Sequence, residues 1–502
     1  MTPETSKRPV TGMRLVTGYI GVSAMLIGVM VLVPLLVLPV YRHDLPHATC
    51  FIFPGIITML CGYLLYFLNI RGARRGSLQK NEDAIVIVFT WLIAIISCSV
   101  PFLLTGEYTV SQSVFETMSG LTTTGLSIVD VESCPNIFLV YRSMMHFFGG
   151  IGLVLVMVTA LSNAHGLRVY NAEGHTDKLL PNMVDSARLI LAMYSGFIFA
   201  GTIAYRIAGM PLFDAVNTAI SAVSTGGFTV TPGSIGDYSS VPVEVISIVL
   251  MLVGAVNFLE NFLLLRGRFH AYCNHAETKM LGAVVAGFSV TTALILLAFG
   301  TVSAFPKALR VGLFETVSVL TSTGFSIIPS ISVLPPAVIF LFVILMFMGG
   351  QAGSTAGGIK LHRIVVIVKS LIWSFRDRYG HHRNVYSYKI HRFGKYIECT
   401  DKERREVFLF LGMYVALFFL GSFLFMLLGS SMQDATFEFA SCIGNTGVSI
   451  GLIQASSNPA LLWVGAIGMF FGRLEIIPVF LAFRRIGGKI RERVTYGNGN
   501  QT

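Results

Sequence analysis

The chain has 502 residues, of which 54% are hydrophobic and only 12% are charged, with a mean hydropathy of +0.71. A soluble protein carries about 25% charged residues, so this composition excludes a soluble class and predicts an all-α integral membrane protein. The net charge of +10 would suit a protein that binds nucleic acid, but the basic residues form clusters separated by even numbers of apparent membrane crossings. About thirty of the 36 Lys and Arg residues therefore lie on one side of the membrane. The positive-inside rule makes that side cytoplasmic.

Apolar segments long enough to cross a bilayer, which takes about 20 residues, recur along the chain. Segments near 16–39 and 51–70 form an opening hairpin. Four units follow, each predicted as a helix, a short re-entrant half-helix with an extended loop, and a second helix. The paired helices are predicted near 84–104 and 137–161, 187–209 and 242–265, 281–300 and 335–358, and 406–429 and 459–483. About ten transmembrane helices result, with both termini cytoplasmic.

This division sets the predicted domain boundaries. They are an N-terminal two-helix hairpin at 1–80, pore repeat 1 at 81–170, pore repeat 2 at 171–278, pore repeat 3 at 279–370, a basic cytoplasmic loop at 371–405, and pore repeat 4 with the C-terminal tail at 406–502.

A short phrase centred on Thr-Gly occurs once in each unit. The four Thr-Gly loops contain Thr124-Gly125, Thr225-Gly226-Gly227, Thr323-Gly324 and Thr446-Gly447. Glycine adopts positive φ without a Cβ clash, so its carbonyl can point toward an axis that four loops share. Such carbonyls replace the hydration shell of a potassium ion. The four copies therefore predict one selectivity filter at the centre of four quasi-equivalent repeats.

An acidic residue precedes each of these loops. Phe-Glu pairs begin at Phe115, Phe314 and Phe437, and Phe213-Asp214 stands at a longer spacing in the second unit. We expect each acid to lie in the first turn of its half-helix, where it stabilises the positive end of the helix dipole. The loops themselves contain no carboxylate, which argues against a site for divalent cations.

These loops, together with Gly149-Gly150-Ile151-Gly152, resemble those of the Trk/Ktr/HKT superfamily of potassium transporters, and the two-helix preamble resembles its TrkH branch. The resemblance covers essentially the whole chain. It implies a ring of filter glycines at Gly125, Gly227, Gly324 and Gly447, with Gly226 as a competitor for the second place. The implied ion-binding residues are Thr123, Thr124, Gly125, Thr225, Gly226, Gly227, Thr323, Gly324, Asn445, Thr446 and Gly447.

A stretch rich in glycine interrupts the predicted second helix of the third unit. It is not a phosphate-binding loop, because no Gly-Lys-Ser/Thr ending is present and an apolar span precedes it. It is either a close-packed helix crossing or a flexible loop under the filter, and the resemblance implies the latter, an intramembrane gate. The implied gate residues are Gly350, Gln351, Ala352, Gly353, Ser354, Thr355, Ala356, Gly357, Gly358, Lys360 and Arg473.

Arg473 lies near the middle of the last predicted span, where a charge is expensive and faces protein or a cavity. It is either part of a buried structural ion pair or, as the resemblance implies, a residue just below the filter. There its positive charge would oppose the passage of cations, and its side chain would hold the gate loop through the loop carbonyls. The basic segment 370–406 is either a loop at the lipid headgroups or a docking site. The resemblance implies that its partner is a cytosolic TrkA-like nucleotide-binding ring.

The predicted function is potassium uptake across the cytoplasmic (inner) membrane by a homodimer with one pore per protomer. K⁺ is the transported ion, with no covalent cofactor, and the lipid bilayer is the surrounding partner. A sodium-permeable or ion-coupled symporter of the same architecture is the alternative. An enzyme is not expected, because no His-Glu-x-x-His motif occurs and the histidines lie mostly in loops.

Overall fold

The structure is a computed structural model that describes residues 10–71, 82–152, 183–379 and 388–480, with 482 and 484. The described chain is mainly helical, which confirms the predicted class. Six stretches among the described residues are long and apolar enough to cross a membrane. They are Met13–Val37, Arg42–Ile70, Glu82–Leu104, Asp185–Ile207, Ala276–Ala298 and Asp401–Leu427. The count of ten spans and the domain boundaries stay predictions.

The helices are numbered in chain order. They are α1 (Met13–Leu32), α2 (Ala48–Ile70), α3 (Glu82–Leu104), α4 (Val110–Leu121), α5 (Asn136–Ile151), α6 (Met183–Ile207), α7 (Leu212–Val223), α8 (Val241–Ala255), α9 (Phe258–Leu265), α10 (Phe269–Asn274), α11 (Ala276–Ala298), α12 (Phe305–Leu320), α13 (Pro336–Met348), α14 (Leu361–Tyr379), α15 (Asp401–Leu427), α16 (Met432–Gly444) and α17 (Pro459–Leu474). Short 3₁₀ helices lie at Val33–Val37, Arg42–His47, Ser234–Tyr238 and Ile331–Val333.

The predicted second helix of each unit is less continuous than its apolar composition suggests. The helix predicted at 242–265 bends by 116° between α8 and α9. The helix predicted at 335–358 ends at Met348, and the helix predicted at 459–483 is interrupted at Glu475, where φ is +55°. In the first unit α5 ends at Ile151, and residues 153–161 of the prediction lie outside the described residues. The continuous helices predicted at 242–265 and 459–483 were therefore wrong, whereas the end of the helix at Met348 agrees with the glycine-rich interruption predicted in the third unit.

The chain divides into two compact units. Unit 1 comprises Met1–Val114, Gly152–Leu189 and Leu474–Thr502, and unit 2 comprises Phe115–Ile151 and Ile190–Arg473. Within unit 1, α1 packs closely on α2 because glycines face each other. A Cβ on Gly21 would overlap neighbouring backbone at Gly62, and one on Gly28 would overlap Gly55. Small residues bring helix backbones together in this way when lipid gives no hydrophobic drive to association.

Unit 2 contains the four Thr-Gly loops, each after one short helix: α4, α7, α12 or α16. Unit 2 also contains a two-stranded antiparallel hairpin, β1 (Lys389–Arg392) and β2 (Lys395–Glu398), in which Ile390 pairs with Ile397. This hairpin was not predicted. Ile390 and Cys399 are buried with Val366, Trp373 and Val407, so the hairpin packs on α14 and α15.

Candidate functional site

The four Thr-Gly loops share one backbone conformation. Two residues before the key glycine, a residue other than glycine has left-handed φ: Thr123 (54°), Thr225 (51°), Ser322 (52°) and Asn445 (50°). The glycine itself also has positive φ: Gly125 (91°), Gly227 (86°), Gly324 (82°) and Gly447 (81°). Gly226 is not among the positive-φ glycines, so the geometry aligns Gly227 with the other three. Strained residues other than glycine at four equivalent places indicate a functional constraint.

The key glycines lie against one another in a closed ring. The surroundings of a Cβ placed on each glycine reveal the order. A Cβ on Gly125 would overlap the carbonyl oxygen of Gly226, and one on Gly227 would overlap that of Thr323. A Cβ on Gly324 would overlap the carbonyl oxygen of Thr446, and one on Gly447 would overlap that of Thr124. Each loop therefore contacts the next, and the fourth contacts the first. Both φ and the available space require glycine at these four positions.

Three glutamates tie the loops to the helices before them. Glu116 accepts hydrogen bonds from Ser127 Oγ (2.9 Å) and Ile128 N (3.0 Å). Two equivalent sets repeat the pattern: Glu315 with Ser326 Oγ (3.0 Å) and Ile327 N (2.9 Å), and Glu438 with Ser449 Oγ (2.7 Å) and Ile450 N (3.2 Å). The acids thus hold the chain just beyond the key glycine.

The first-turn position expected for these acids was wrong for three of the four. The described first turns of α4 and α12 contain no acidic residue, and that of α16 contains Asp434 instead of Glu438. These helices begin earlier than the Phe-Glu pairs suggest. Only Asp214 lies in the first turn of its helix, α7, and it accepts a hydrogen bond from Tyr238 Oη (2.9 Å).

The glycine-rich stretch forms a non-helical loop, residues 349–360, between α13 and α14. Positive φ at Gly349 (69°), Gly353 (75°) and Gly358 (76°) breaks the helix. The loop closes on itself, because Leu361 N donates to Gly350 O (2.8 Å) and Ile359 N donates to Phe347 O (2.9 Å). This conformation replaces the close-packed helix crossing that was the alternative interpretation of the stretch.

Loop 349–360 lies directly against the ends of three of the short helices. Thr355 Oγ1 is 3.1 Å from Val223 O at the end of α7. Gly357 N donates to Ser322 Oγ (2.6 Å), just after α12. A Cβ on Gly357 would overlap Gly444 O, the last residue of α16. All ten loop residues named from the sequence, Gly350 to Gly358 and Lys360, belong to this one loop.

Arg473 joins the same loop to the remaining part of the ring. Its Nη1 donates to Thr355 O (2.7 Å), and its Nη2 donates to Gly149 O and Gly150 O. Gly149 in turn lies against Leu121 O, the last residue of α4. The loop and Arg473 together therefore contact groups from all four loop-bearing segments of unit 2.

Three equivalent glycines show that Arg473 is the charged residue at a position that is uncharged in two other segments. A Cβ on Gly149, Gly254 or Gly472 would overlap the carbonyl of Leu121, Val223 or Ile443, near the end of the short helix of the same segment. These three positions are therefore equivalent. The residue after each is Gly150, Ala255 and Arg473, so only the last carries a charge.

Polar residues fix the start of loop 349–360. Asn257 N donates to Gln351 Oε1 (2.9 Å), and Asn257 Nδ2 donates to Ala352 O. Gln351 Nε2 donates to Thr278 Oγ1 (3.0 Å), while Ala352 N donates to Glu277 Oε2 (2.9 Å). The bend between α8 and α9 therefore places Asn257 where its backbone and side chain both hydrogen-bond to the loop.

Sequence reasoning missed Ser322 and Asn257. Ser322 could have been found by aligning Thr321-Ser322-Thr323-Gly324 with Thr122-Thr123-Thr124-Gly125. Asn257 gave no comparable signal, because its role depends on a bend that the apolar sequence does not reveal.

The family model for the cation transport protein TrkH matches residues 48–268 and 280–490. The chain belongs to the TrkH family. A TrkH potassium uptake protein of Halomonas elongata is 30% identical over 94% of this chain and 98% of its own length. That of Escherichia coli K12 is 28% identical over the same shares. The crystal structure of the potassium transporter TrkH from Vibrio parahaemolyticus superimposes with a TM-score of 0.82 at 25% identity, covering 94% of this chain and 98% of that one.

Membership of the TrkH family confirms the superfamily that the Thr-Gly loops indicated. It makes the protein a membrane cation transporter, and it decides the choice between transporter and enzyme, because the matched relatives are transport proteins. In the described residues of this TrkH-family chain, no group of three or more His, Cys, Asp or Glu is placed to hold a metal ion.

Proposed function

We propose that this TrkH-family protein takes up K⁺ across the cytoplasmic membrane through the ring of four Thr-Gly loops. The observation that carries the proposal is the closed order in which Gly125, Gly227, Gly324 and Gly447 follow one another. Four backbone loops around one axis present carbonyl oxygens that replace the hydration shell of a dehydrated ion. The potassium transport named for the Halomonas and Vibrio relatives supports the choice of ion.

Four similar loops in sequence favour a pore over the alternating-access alternative. A symporter with a midplane site usually combines two inverted halves with broken helices. Broken helices are present here, at α8–α9 and after α13, but the four loops share one backbone conformation and form one ring. The sodium-permeable or ion-coupled symporter is the outcome that the flux measurements below would reveal instead.

In the proposal, loop 349–360 and Arg473 close the path on the cytoplasmic side of the filter. The loop contacts Val223, Ser322 and Gly444 at the ends of the short helices, so an ion leaving the ring would meet its backbone. The guanidinium of Arg473 adds a positive charge to this obstruction. Non-helical backbone at membrane depth is tolerated where protein or a water-filled cavity surrounds it, as it would be here.

Opening would be controlled from the cytoplasm. We place both termini and the basic segment 370–406 on that side, where the segment would dock a TrkA-like nucleotide-binding ring. The chain would act as a homodimer with one pore in each protomer. The charge distribution supports this orientation, and the hairpin β1–β2 gives the segment a folded surface.

Growth of a potassium-uptake-deficient bacterial strain on low potassium tests the function directly. Expression of the chain is expected to restore growth, and purified protein in liposomes is expected to carry K⁺ and Rb⁺ faster than Na⁺ and Li⁺. Failure to restore growth, together with clear Na⁺ flux in liposomes, would replace potassium uptake by the sodium-permeable alternative.

A further inference from the structure

A buried arginine of α5 connects the first Thr-Gly loop to the second. Arg142 is only 2% exposed, and its Nε donates to Glu116 Oε1 (2.9 Å). Its Nη2 donates to Ser127 Oγ (2.8 Å), two residues beyond Gly125. Its Nη1 donates to Thr229 O (3.2 Å), two residues beyond Gly227. One planar group therefore holds the outgoing chain of two neighbouring loops at once.

An aromatic contact fixes the same group from another direction. The Cζ atom of Arg142 lies 4.0 Å from the ring centroid of Phe228, the residue directly after Gly227. The ring of His146, one turn further along α5, stacks on Phe228 with a centroid distance of 4.2 Å and an interplanar angle of 20°. A Cβ on Gly226 would overlap His146. Phe228 is thus positioned by two α5 side chains next to the ring.

Among the described residues, an arginine joins two Thr-Gly loops only in the first segment of the ring. The glycine equivalences above align Arg142 with Ser247 in α8 and Gly465 in α17. Neither side chain can reach two loops as a guanidinium does. Within the described residues, Glu315 and Glu438 accept hydrogen bonds from serine and backbone but form no ion pair with an arginine or lysine. The ring is therefore held differently between its first and second loops than elsewhere.

We propose that Arg142 is a positioning residue that sets the spacing between the first and second Thr-Gly loops and thereby the ion selectivity of the ring. The inference rests on the proposed function. Discrimination between ions depends on where the carbonyls stand and how far they can move. An arginine that fixes the chain two residues beyond both Gly125 and Gly227 limits that movement without touching the ion.

The geometry of the guanidinium distinguishes this role from that of a simple counter-charge to Glu116. Arginine presents its donors in a rigid planar fork and stacks on aromatic rings, whereas lysine offers one compact charge on a flexible stem. Arg142→Lys therefore preserves the charge beside Glu116 but cannot reach Ser127, Thr229 and Phe228 together. If only the charge mattered, the lysine variant would behave as wild type.

The test measures reversal potentials with K⁺ on one side and Na⁺ on the other, for reconstituted wild type, Arg142→Lys and a matched control, Arg310→Lys. Arg310 pairs with Glu244 (3.4 Å) and is 45% exposed. We expect Arg142→Lys to lower the K⁺/Na⁺ permeability ratio by about three- to tenfold, the range that one lost hydrogen bond spans. Arg310→Lys is expected to keep the wild-type ratio.

A second pair of variants isolates the aromatic contact. Phe228→Leu removes the ring beneath Arg142, while Phe325→Leu changes the residue after Gly324, on which no cation stacks among the described residues. We expect Phe228→Leu to lower the K⁺/Na⁺ permeability ratio more than Phe325→Leu does.

A double variant provides for the case in which a single variant fails to fold. Removing one member of a buried ion pair is strongly destabilising, whereas replacing both members by neutral residues is milder. Glu116→Gln combined with Arg142→Met therefore gives the selectivity readout if a single variant fails to fold.

Distinct outcomes separate this inference from the proposed function. A wild-type ratio in folded Arg142→Lys and in the double variant overturns the positioning role, even if the total flux falls. An equal loss in Arg310→Lys also overturns it. A wild-type protein without preference for K⁺ contradicts the proposed function itself, whereas a selective wild type whose ratio changes in Gly324→Ser but not in Arg142→Lys contradicts only the inference.

Discussion

At the scale of single residues, the same side-chain chemistry supports three of the four Thr-Gly loops. Glu116, Glu315 and Glu438 each accept a serine hydroxyl and the next backbone N–H, although they are separated widely in sequence. The Phe-Glu pairs were visible in the sequence, but their position within the helix was not. Pro306 near the start of α12, a favoured place for proline, shows that the helix begins well before Glu315.

Removing one of these carboxylates is expected to destabilise the protein. In Glu315→Ala, the N–H of Ile327 loses its buried acceptor and the hydroxyl of Ser326 keeps only Ile328 O, which costs about 1–3 kcal/mol. Thermal unfolding in detergent would show a lower midpoint for Glu315→Ala and a smaller decrease for Glu315→Gln, whose amide oxygen still accepts. The exposed Glu398→Ala serves as the control, and an equal midpoint in both alanine variants would refute the role.

At the scale of elements, the breaks in the second helices position loop 349–360. Glycine composition revealed the break after α13, because Gly349 to Gly358 cannot continue a helix without cost. The bend between α8 and α9 and the interruption at Glu475 were not predictable in the same way. They occur where Gly254 and Gly472 approach carbonyls of the short helices, a contact that only the tertiary structure creates.

Arg473→Ala is expected to raise ion flux through reconstituted protein. The substitution removes hydrogen bonds to Thr355 O and Gly150 O together with a positive charge. Lowering the barrier by about 1.4 kcal/mol would raise the flux roughly tenfold. Deletion within 351–357 is expected to act in the same direction, and Arg310→Ala should not. Unchanged or lower flux in well-folded Arg473→Ala protein would argue against a gate.

At the scale of the whole molecule, the positive-inside rule and the helix order predict which loops lie on the same side of the membrane. The long apolar helices were predicted to within a few residues, as at 84–104 against Glu82–Leu104, because length and hydropathy suffice for them. The fold of the basic segment was beyond prediction, since β1 and β2 are short and are stabilised by packing of Ile390 near Trp373.

Native cysteines provide a test of this orientation. Cys134 lies between α4 and α5, on the predicted outer side, and the exposed Cys273 lies in α10, on the predicted cytoplasmic side. In single-cysteine variants, a membrane-impermeant maleimide is expected to reach Cys134 only from outside and Cys273 only from the cytoplasm. Labelling of both from the same side would contradict the topology.

Cys399 is expected to react slowly from either side. Burial raises the pKa of its thiol to about 11, so at pH 8 only about a thousandth is the reactive thiolate. Its labelling rate should therefore rise as the pH approaches 11 in folded protein. A rate at pH 8 equal to that of a free thiol would show that the hairpin does not cover Cys399.

The central claim is that the ring of four glycines selects the ion, and a change at Gly324 tests it most directly. A side chain there would overlap Thr446 O and would need to adopt φ of 82°, so the carbonyls could not keep their places. The decisive measurement is the K⁺/Na⁺ permeability ratio of folded, reconstituted wild type and Gly324→Ser. We predict a K⁺-selective wild type and a ratio lower by about tenfold or more in the variant, equivalent to about 1.4 kcal/mol. The same ratio in both proteins would contradict the claim.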